Sequence, residues 1–216
     1  MRSWEGADQE YEDLVNGDWV GSADNLWELL TGLILDTRTP LERMAVVTRN
    51  LKAAKYGESN LLDFRVLHEI AQTTGAEHVA NLLKIAGYPW YNQKSRFFEA
   101  VPEFDLGTAS FEQMQTILGV GPKLASLWRN IVHGEQLPVI DAHVYRWLGK
   151  LGYKIPLAKY AELAAVVTEE AKARGVSVSA LDQLLVENGI RKRKGMETLP
   201  VPERRSKTSN RKVALQ

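Results

Sequence analysis

The sequence predicts an all-α protein of about ten short helices, in one compact unit or two closely packed lobes. Three observations carry this. Apolar residues recur at helical spacing from 24 to 189, helix start and stop signals punctuate that span at short intervals, and no useful length alternates as a strand would. No internal repeat of solenoid period is present.

Taken in order, residues 1–23 form an acidic lead-in in which Trp4 and Trp19 are available to pack onto the body. Asp24 is expected to N-cap a helix with Leu26, Trp27, Leu29, Leu30, Leu33 and Ile34 at helical spacing. That helix ends near Asp36-Thr37-Arg38-Thr39-Pro40, and Pro40 begins the next, with Leu41, Met44, Val47 and Leu51 inward. Residues 62–71 and 76–86 read as two more helices, separated by Gly75 as a stop. After an aromatic loop (Tyr88, Trp90, Tyr91), Asn92 is expected to cap a helix carrying Lys94, Phe97, Phe98 and Val101. Ser110 and Gln113 match a capping box. Further helices follow Pro122, Asp141 (to Leu151) and Leu157 (to about 173, stopped by Gly175), and a last packed helix spans 177–189. From 191 onward the chain is basic and poor in large apolar residues, the composition of a disordered tail. The expected organisation is therefore 1–23 lead-in, 24–190 helical domain and 191–216 tail.

A chain of 216 residues with 44% hydrophobic and 25% charged residues can bury a real core, and no apolar run is long enough to span a bilayer. The start lacks the apolar stretch of a secretory signal, and zero cysteines exclude disulfides and cysteine-held zinc or iron–sulfur clusters. Both fit an intracellular protein. The net charge of zero hides an asymmetry: residues 1–30 hold eight carboxylates against Arg2, and residues 191–216 hold nine cations against two carboxylates. A neutral total therefore leaves a polyanionic partner open.

The stretch with the most chemistry is Ile117 to Asp141, ILGVGPKLASLWRNIVHGEQLPVID. Gly119 and Gly121 permit backbone conformations closed to other residues and a close approach by another molecule. Pro122 suits the first helical position, with Lys123 in the first turn. Amides at such a helix start favour an anion, and a phosphate is the natural ligand. A Gly-x-Gly tripeptide alone is equally an ordinary turn.

The wider pattern is more specific. Ile-Leu-Gly-Val-Gly-Pro-Lys-Leu-Ala at 117–125, followed by Val-Ile-Asp-Ala-His-Val-Tyr-Arg at 139–146, resembles the helix-hairpin-helix DNA glycosylases, closest to the endonuclease III branch. Leu118 stands where that family usually has proline, while the eighteen positions from Lys123 to Asp141 match the endonuclease III spacing. The resemblance covers residues 24 to about 190 and implies two helical lobes with a cleft between them.

It also implies a reaction. Lys123 would be the amine that attacks the sugar C1′ as a flipped base leaves, giving a Schiff base and strand cleavage by β-elimination. Asp141 would stabilise positive charge developing on the sugar, besides capping its helix. The hairpin residues Leu118, Gly119, Val120 and Gly121 would hold a DNA phosphate, with room for a monovalent cation, and His143 and Arg146 would support backbone contact. Arg38 falls where relatives carry a glutamine that enters DNA; Trp90, Asn92 and Lys94 fall near their wedge loop. Asp36 could instead face a lesion pocket. The four-cysteine cluster of many relatives is excluded, and no histidine spacing suggests a metal. The expected partner is double-stranded DNA with a lesion, mismatch or abasic site, bound by a monomer. The alternatives are a non-catalytic DNA-binding hairpin module and a glycosylase without lyase activity.

Overall fold

The computed structural model describes residues 23–37 and 39–204, without the side chains of Leu41 and Glu42. The expectations for Trp4, Trp19, Arg38 and the chain beyond 204 lie outside those residues. Among the described residues there are ten α-helices, one 3-10 turn and a two-stranded hairpin, in two compact units that divide between Val132 and His133.

In the first unit, α1 spans Leu26–Asp36 and α2 spans Leu41–Ala53. The N-cap of α1 is Asn25, not Asp24: the Asn25 amide oxygen accepts from the Trp27 and Glu28 N–H groups at 2.9 and 3.1 Å. Asp24 instead pairs with Lys52 at 2.8 Å. Two adjacent Asx residues offer equal caps in sequence; in the structure Asn25 takes the cap while Asp24 pairs with the distant lysine and donates its N–H to Glu28 at 2.8 Å. Pro40 stands just before α2 as expected, and Met44, Val47 and Leu51 are fully buried. The antiparallel pair β1 (Lys55–Tyr56) and β2 (Ser59–Asn60) follows, turning at Gly57 with φ +58°. Strands of two residues are too short to show alternation.

Helices α3 (Phe64–Thr74) and α4 (Ala76–Ile85) are separated by Gly75 at φ +89°. The helix expected from Asn92 is instead one turn of α-helix, α5 (Tyr91–Lys94), tightening into a 3-10 turn at Ser95–Phe98. That tightening lets two consecutive aromatics pack: Phe98 is fully buried 5.0 Å from Phe64, while Phe97 lies half-buried against the glycine turn. The capping box of Ser110 and Gln113 opens α6 (Phe111–Thr116), and α7 (Pro122–His133) buries Leu124, Ala125 and Trp128 in the same core. Each large side chain so buried contributes about 1.5–3 kcal/mol.

The second unit packs α8 (Ala142–Lys150), α9 (Tyr160–Arg174) and α10 (Val178–Arg193) around Val144, Leu148, Leu163, Val167 and Leu181. Gly175 ends α9 in the left-handed region (φ +72°, ψ +32°). Leu157, expected on the apolar face of α9, precedes that helix and is 54% exposed.

The expected break at 190 is not a break in the structure. Helix α10 continues to Arg193, and the chain then folds back onto the unit. Asn188 exchanges two hydrogen bonds with the Leu199 backbone at 2.9 and 2.6 Å, and Arg204 reaches the buried Glu170 at 2.9 Å. Glu170 also accepts from Tyr153 (2.8 Å) and Arg174 (3.0 Å), so its buried charge is fully partnered. Composition alone marked this stretch as tail, because its anchors are mostly polar, with Val201 packing against the core of the unit.

Candidate functional site

The turn between α6 and α7 is built around two glycines with different tasks. Gly119 has φ +90°, and a Cβ there would overlap the Phe97 ring, lying within 2.5 Å of its Cε2. Gly121 has no left-handed φ, and a Cβ there would meet nothing within 4 Å. The expectation that both glycines serve backbone conformation therefore holds for Gly119 alone. Gly121 leaves open space beside the start of α7.

Leu118 points out (54% exposed) and Val120 points in (5%), so the turn offers one apolar tip while anchoring itself in the core. The Val120 N–H donates to the Ile117 carbonyl at 2.9 Å, which closes the turn. Pro122 opens α7, and the amides of the first helical turn have no partner within the helix. Lys123 stands in that turn, half-buried. A phosphate suits this corner on two counts, the outward amides and the positive end of the helix dipole.

Behind the turn lies the C-terminal end of α1. Its last carbonyls need partners from elsewhere. Lys94 Nζ donates to the Ile34 carbonyl at 2.9 Å, and the Tyr88 and Thr39 hydroxyls both donate to the Leu35 carbonyl at 3.0 Å. Burial pushes the Tyr88 phenol up to about 12, which keeps it a donor. Lys94 was expected at a DNA surface; its ammonium is instead buried, 4.7 Å from the Phe97 ring centre. It supports the aromatic that backs Gly119. The Asn-x-Lys spacing could not reveal this, because the accepting carbonyl lies sixty residues upstream.

Asp36, the last residue of α1, is half-buried, and burial raises its carboxyl above the usual range, against the opposing charges of Lys123 and Lys94. The first unit thus gathers one carboxyl and two lysines behind the glycine turn. Trp90 (39% exposed) and Asn92 lie at the start of α5, with Trp90 at its N-cap and Asn92 exposed.

In the second unit Asp141 caps α8. Both bonds fall on one oxygen: Oδ1 accepts from the His143 N–H at 2.7 Å and the Val144 N–H at 2.8 Å, and Oδ2 takes part in neither. From α8, His143 packs half-buried against α10 where Gly189 has no side chain; a Cβ there would come within 2.8 Å of the ring Cγ. Arg146 reaches the His143 Nδ1 at 3.3 Å. Arginine only donates, so Nδ1 accepts, and in the neutral ring Nε2 carries the proton. His143 and Arg146 therefore brace one another on α8.

Sequence reasoning missed Asp182 on α10. It is 9% exposed, and its Oδ2 accepts the Val139 N–H at 2.9 Å, two residues before Asp141. Burial raises its carboxyl to about 7, the Val139 bond lowers it, and the nearby charge of Asp141 raises it further. The one signal in the sequence was an acid on the apolar side of a helix, between Leu181 and Leu184.

No protein-family model matches the chain. Among solved structures it is similar to the crystal structure of H. pylori 3-methyladenine DNA glycosylase (MagIII) bound to 1,N6-ethenoadenine. The TM-score is 0.55 at 19% sequence identity, over 88% of this chain and 98% of that chain. At that identity the likeness is one of fold: the chain shares the all-α fold of that solved structure.

Proposed function

We propose that the protein is a DNA base-excision glycosylase that grips one backbone phosphate with the 118–121 turn and acts on the flipped nucleotide beside it. The observation that carries this reading is the division of labour between the two glycines. Gly119 is needed by the fold, whereas a Cβ at Gly121 would meet open space, which leaves room for a phosphate to come close to the backbone. Phosphate contacts of this kind position DNA without reading its sequence. The shared fold and the Lys123 to Asp141 motif support the same reading.

In the proposed reaction the bond between C1′ and the base breaks while Asp141, through the oxygen not used in capping, offsets the positive charge on the sugar. The Lys123 amine forms a bond to C1′ and gives up a proton to the departing base, the C1′–O4′ bond breaks with O4′ taking a proton from water to leave the protonated Schiff base, and loss of a C2′ proton to water breaks the C3′–O bond and expels the 3′ phosphate. One observation favours a second reading for the last steps. The charges of Asp36 and Lys123 attract one another, which suits a lysine that holds DNA as a cation in an enzyme without lyase activity.

The test is a panel of duplexes carrying 3-methyladenine, ethenoadenine, 8-oxoguanine, an oxidised pyrimidine, or mismatched thymine or uracil, scored for base release before and after alkali. Release with strand cleavage before alkali, together with a borohydride-trapped adduct that Lys123→Gln abolishes, supports the full reaction. Release that needs alkali for cleavage supports the second reading. Duplex binding without release from any member would leave only a DNA-gripping hairpin protein.

A further inference from the structure

Asp182 is a buried acid with half of its hydrogen-bonding capacity committed. Oδ2 accepts the Val139 N–H at 2.9 Å, and Oδ1 is buried without a hydrogen-bond partner among the described residues. A buried acceptor left unsatisfied costs stability, and one facing a second carboxylate costs more.

The segment it holds is short and otherwise fixed from α9. The Tyr160 hydroxyl donates to the Pro138 carbonyl at 2.8 Å and accepts the Ile140 N–H at 3.1 Å. Val139 between them is tied to Asp182, and Asp141 follows as the cap of α8. Three consecutive residues before the capping acid are thus pinned, two by α9 and one by α10.

We propose that Asp182 is a positioning residue for Asp141: it fixes the 139–141 segment from α10 and sets a second, titratable charge behind the capping carboxylate. This rests on the glycosylase reading for its consequence in DNA repair, though the coupling of the two acids is a property of the second unit alone. The Val139 bond survives titration, because the oxygen that accepts it is the carbonyl oxygen when the acid is neutral. What changes is the charge. Burial places that change at about 7, within the working range of an intracellular enzyme. The titratable groups on the elements around this stretch are Asp141 and His143 from α8 and Tyr160 from α9, with Arg146 braced on His143 and Glu187 paired to Arg191 on α10 itself.

The Asp182→Asn variant separates position from charge, since its amide oxygen still accepts the Val139 N–H while the charge is gone. Asp182→Leu removes both. The direct readout is an NMR pH titration of the full chain, following the Asp141 side-chain carboxyl carbon and the Val139 amide. The proposal predicts a step near pH 7 in both signals for the wild type and no such step in Asp182→Asn. In Asp182→Leu, Val139 amide exchange should be faster by roughly tenfold, the loss of one hydrogen bond. The pH profile of base release should carry an inflection at the same pH, absent in Asp182→Asn. An Asp141 signal without a step near pH 7, or base-release profiles that coincide in wild type and Asp182→Asn, would overturn the proposal. If both signals step as predicted but no duplex loses a base, the glycosylase reading falls while the coupling of Asp182 to Asp141 stands.

Discussion

Replacing each hairpin glycine by alanine separates folding from DNA contact. At Gly119 two penalties add. A non-glycine residue at φ +90° costs roughly 1–2 kcal/mol, and overlap with the Phe97 ring costs about 1–3 kcal/mol more because Phe97 is backed by Lys94. The expected destabilisation of Gly119→Ala is therefore about 2–5 kcal/mol. Gly121→Ala meets open space in an ordinary backbone region, and the stiffer unfolded chain should leave it equal to wild type or more stable by about 0.4–1 kcal/mol. Urea denaturation followed by circular dichroism measures both. Duplex binding by fluorescence anisotropy at fixed salt should then show the reverse order for the folded variants: Gly121→Ala binds about tenfold or more weakly, because its methyl stands where the phosphate approaches. Gly121→Ala with wild-type binding would refute the phosphate site, and Gly119→Ala with wild-type stability would refute the packing argument.

Three further predictions follow from the geometry around the site. Lys94→Met should destabilise by about 1–3 kcal/mol in urea, since the Ile34 carbonyl is left buried without its donor. Gly189→Ala should cost about 1–3 kcal/mol and shift the His143 ring resonances, because the methyl occupies the ring's place. Asp182 makes stability depend on pH: its folded-state carboxyl, raised to about 7, holds a proton that the unfolded chain releases near 3.8. Its contribution is therefore most favourable below pH 4 and declines as pH rises to about 7, by at most about 4 kcal/mol. Asp182→Asn should flatten that decline, so its advantage over wild type in urea melts should be larger at pH 8 than at pH 5.

What the sequence made legible was local. The Ser110–Gln113 capping box, the Asp141 cap, the stops at Gly75 and Gly175 and the Pro122 helix start each depend on residues within four positions, and each stands as expected. What it hid depends on distant partners. Asn25 caps α1, while Asp24 beside it pairs with Lys52, twenty-eight residues on. Lys94 turns inward to the carbonyl of Ile34 near the end of α1, and Phe97, in the 3-10 turn at Ser95–Phe98, lies against Gly119. Residues 195–204, read as tail from composition, are held by Asn188, Arg174 and Glu170, whose reach no window of sequence displays.

The same division applies to the site. The glycine turn, Lys123 and Asp141 were visible as a spaced motif, but the different duties of the two glycines were not. Nor was the acid at 182, forty-three residues from the amide it holds. Helical periodicity finds faces; it does not find the polar group that another element places on a buried face.

The most direct measurement is single-turnover base release by Asp141→Asn against wild type on the best duplex of the panel. Asparagine keeps an oxygen for the His143 and Val144 amides, so α8 stays capped while the charge is removed. The account predicts release slower by about a hundredfold or more with duplex binding unchanged. Release at the wild-type rate would show that the Asp141 charge takes no part in breaking the bond to the base, and would contradict it.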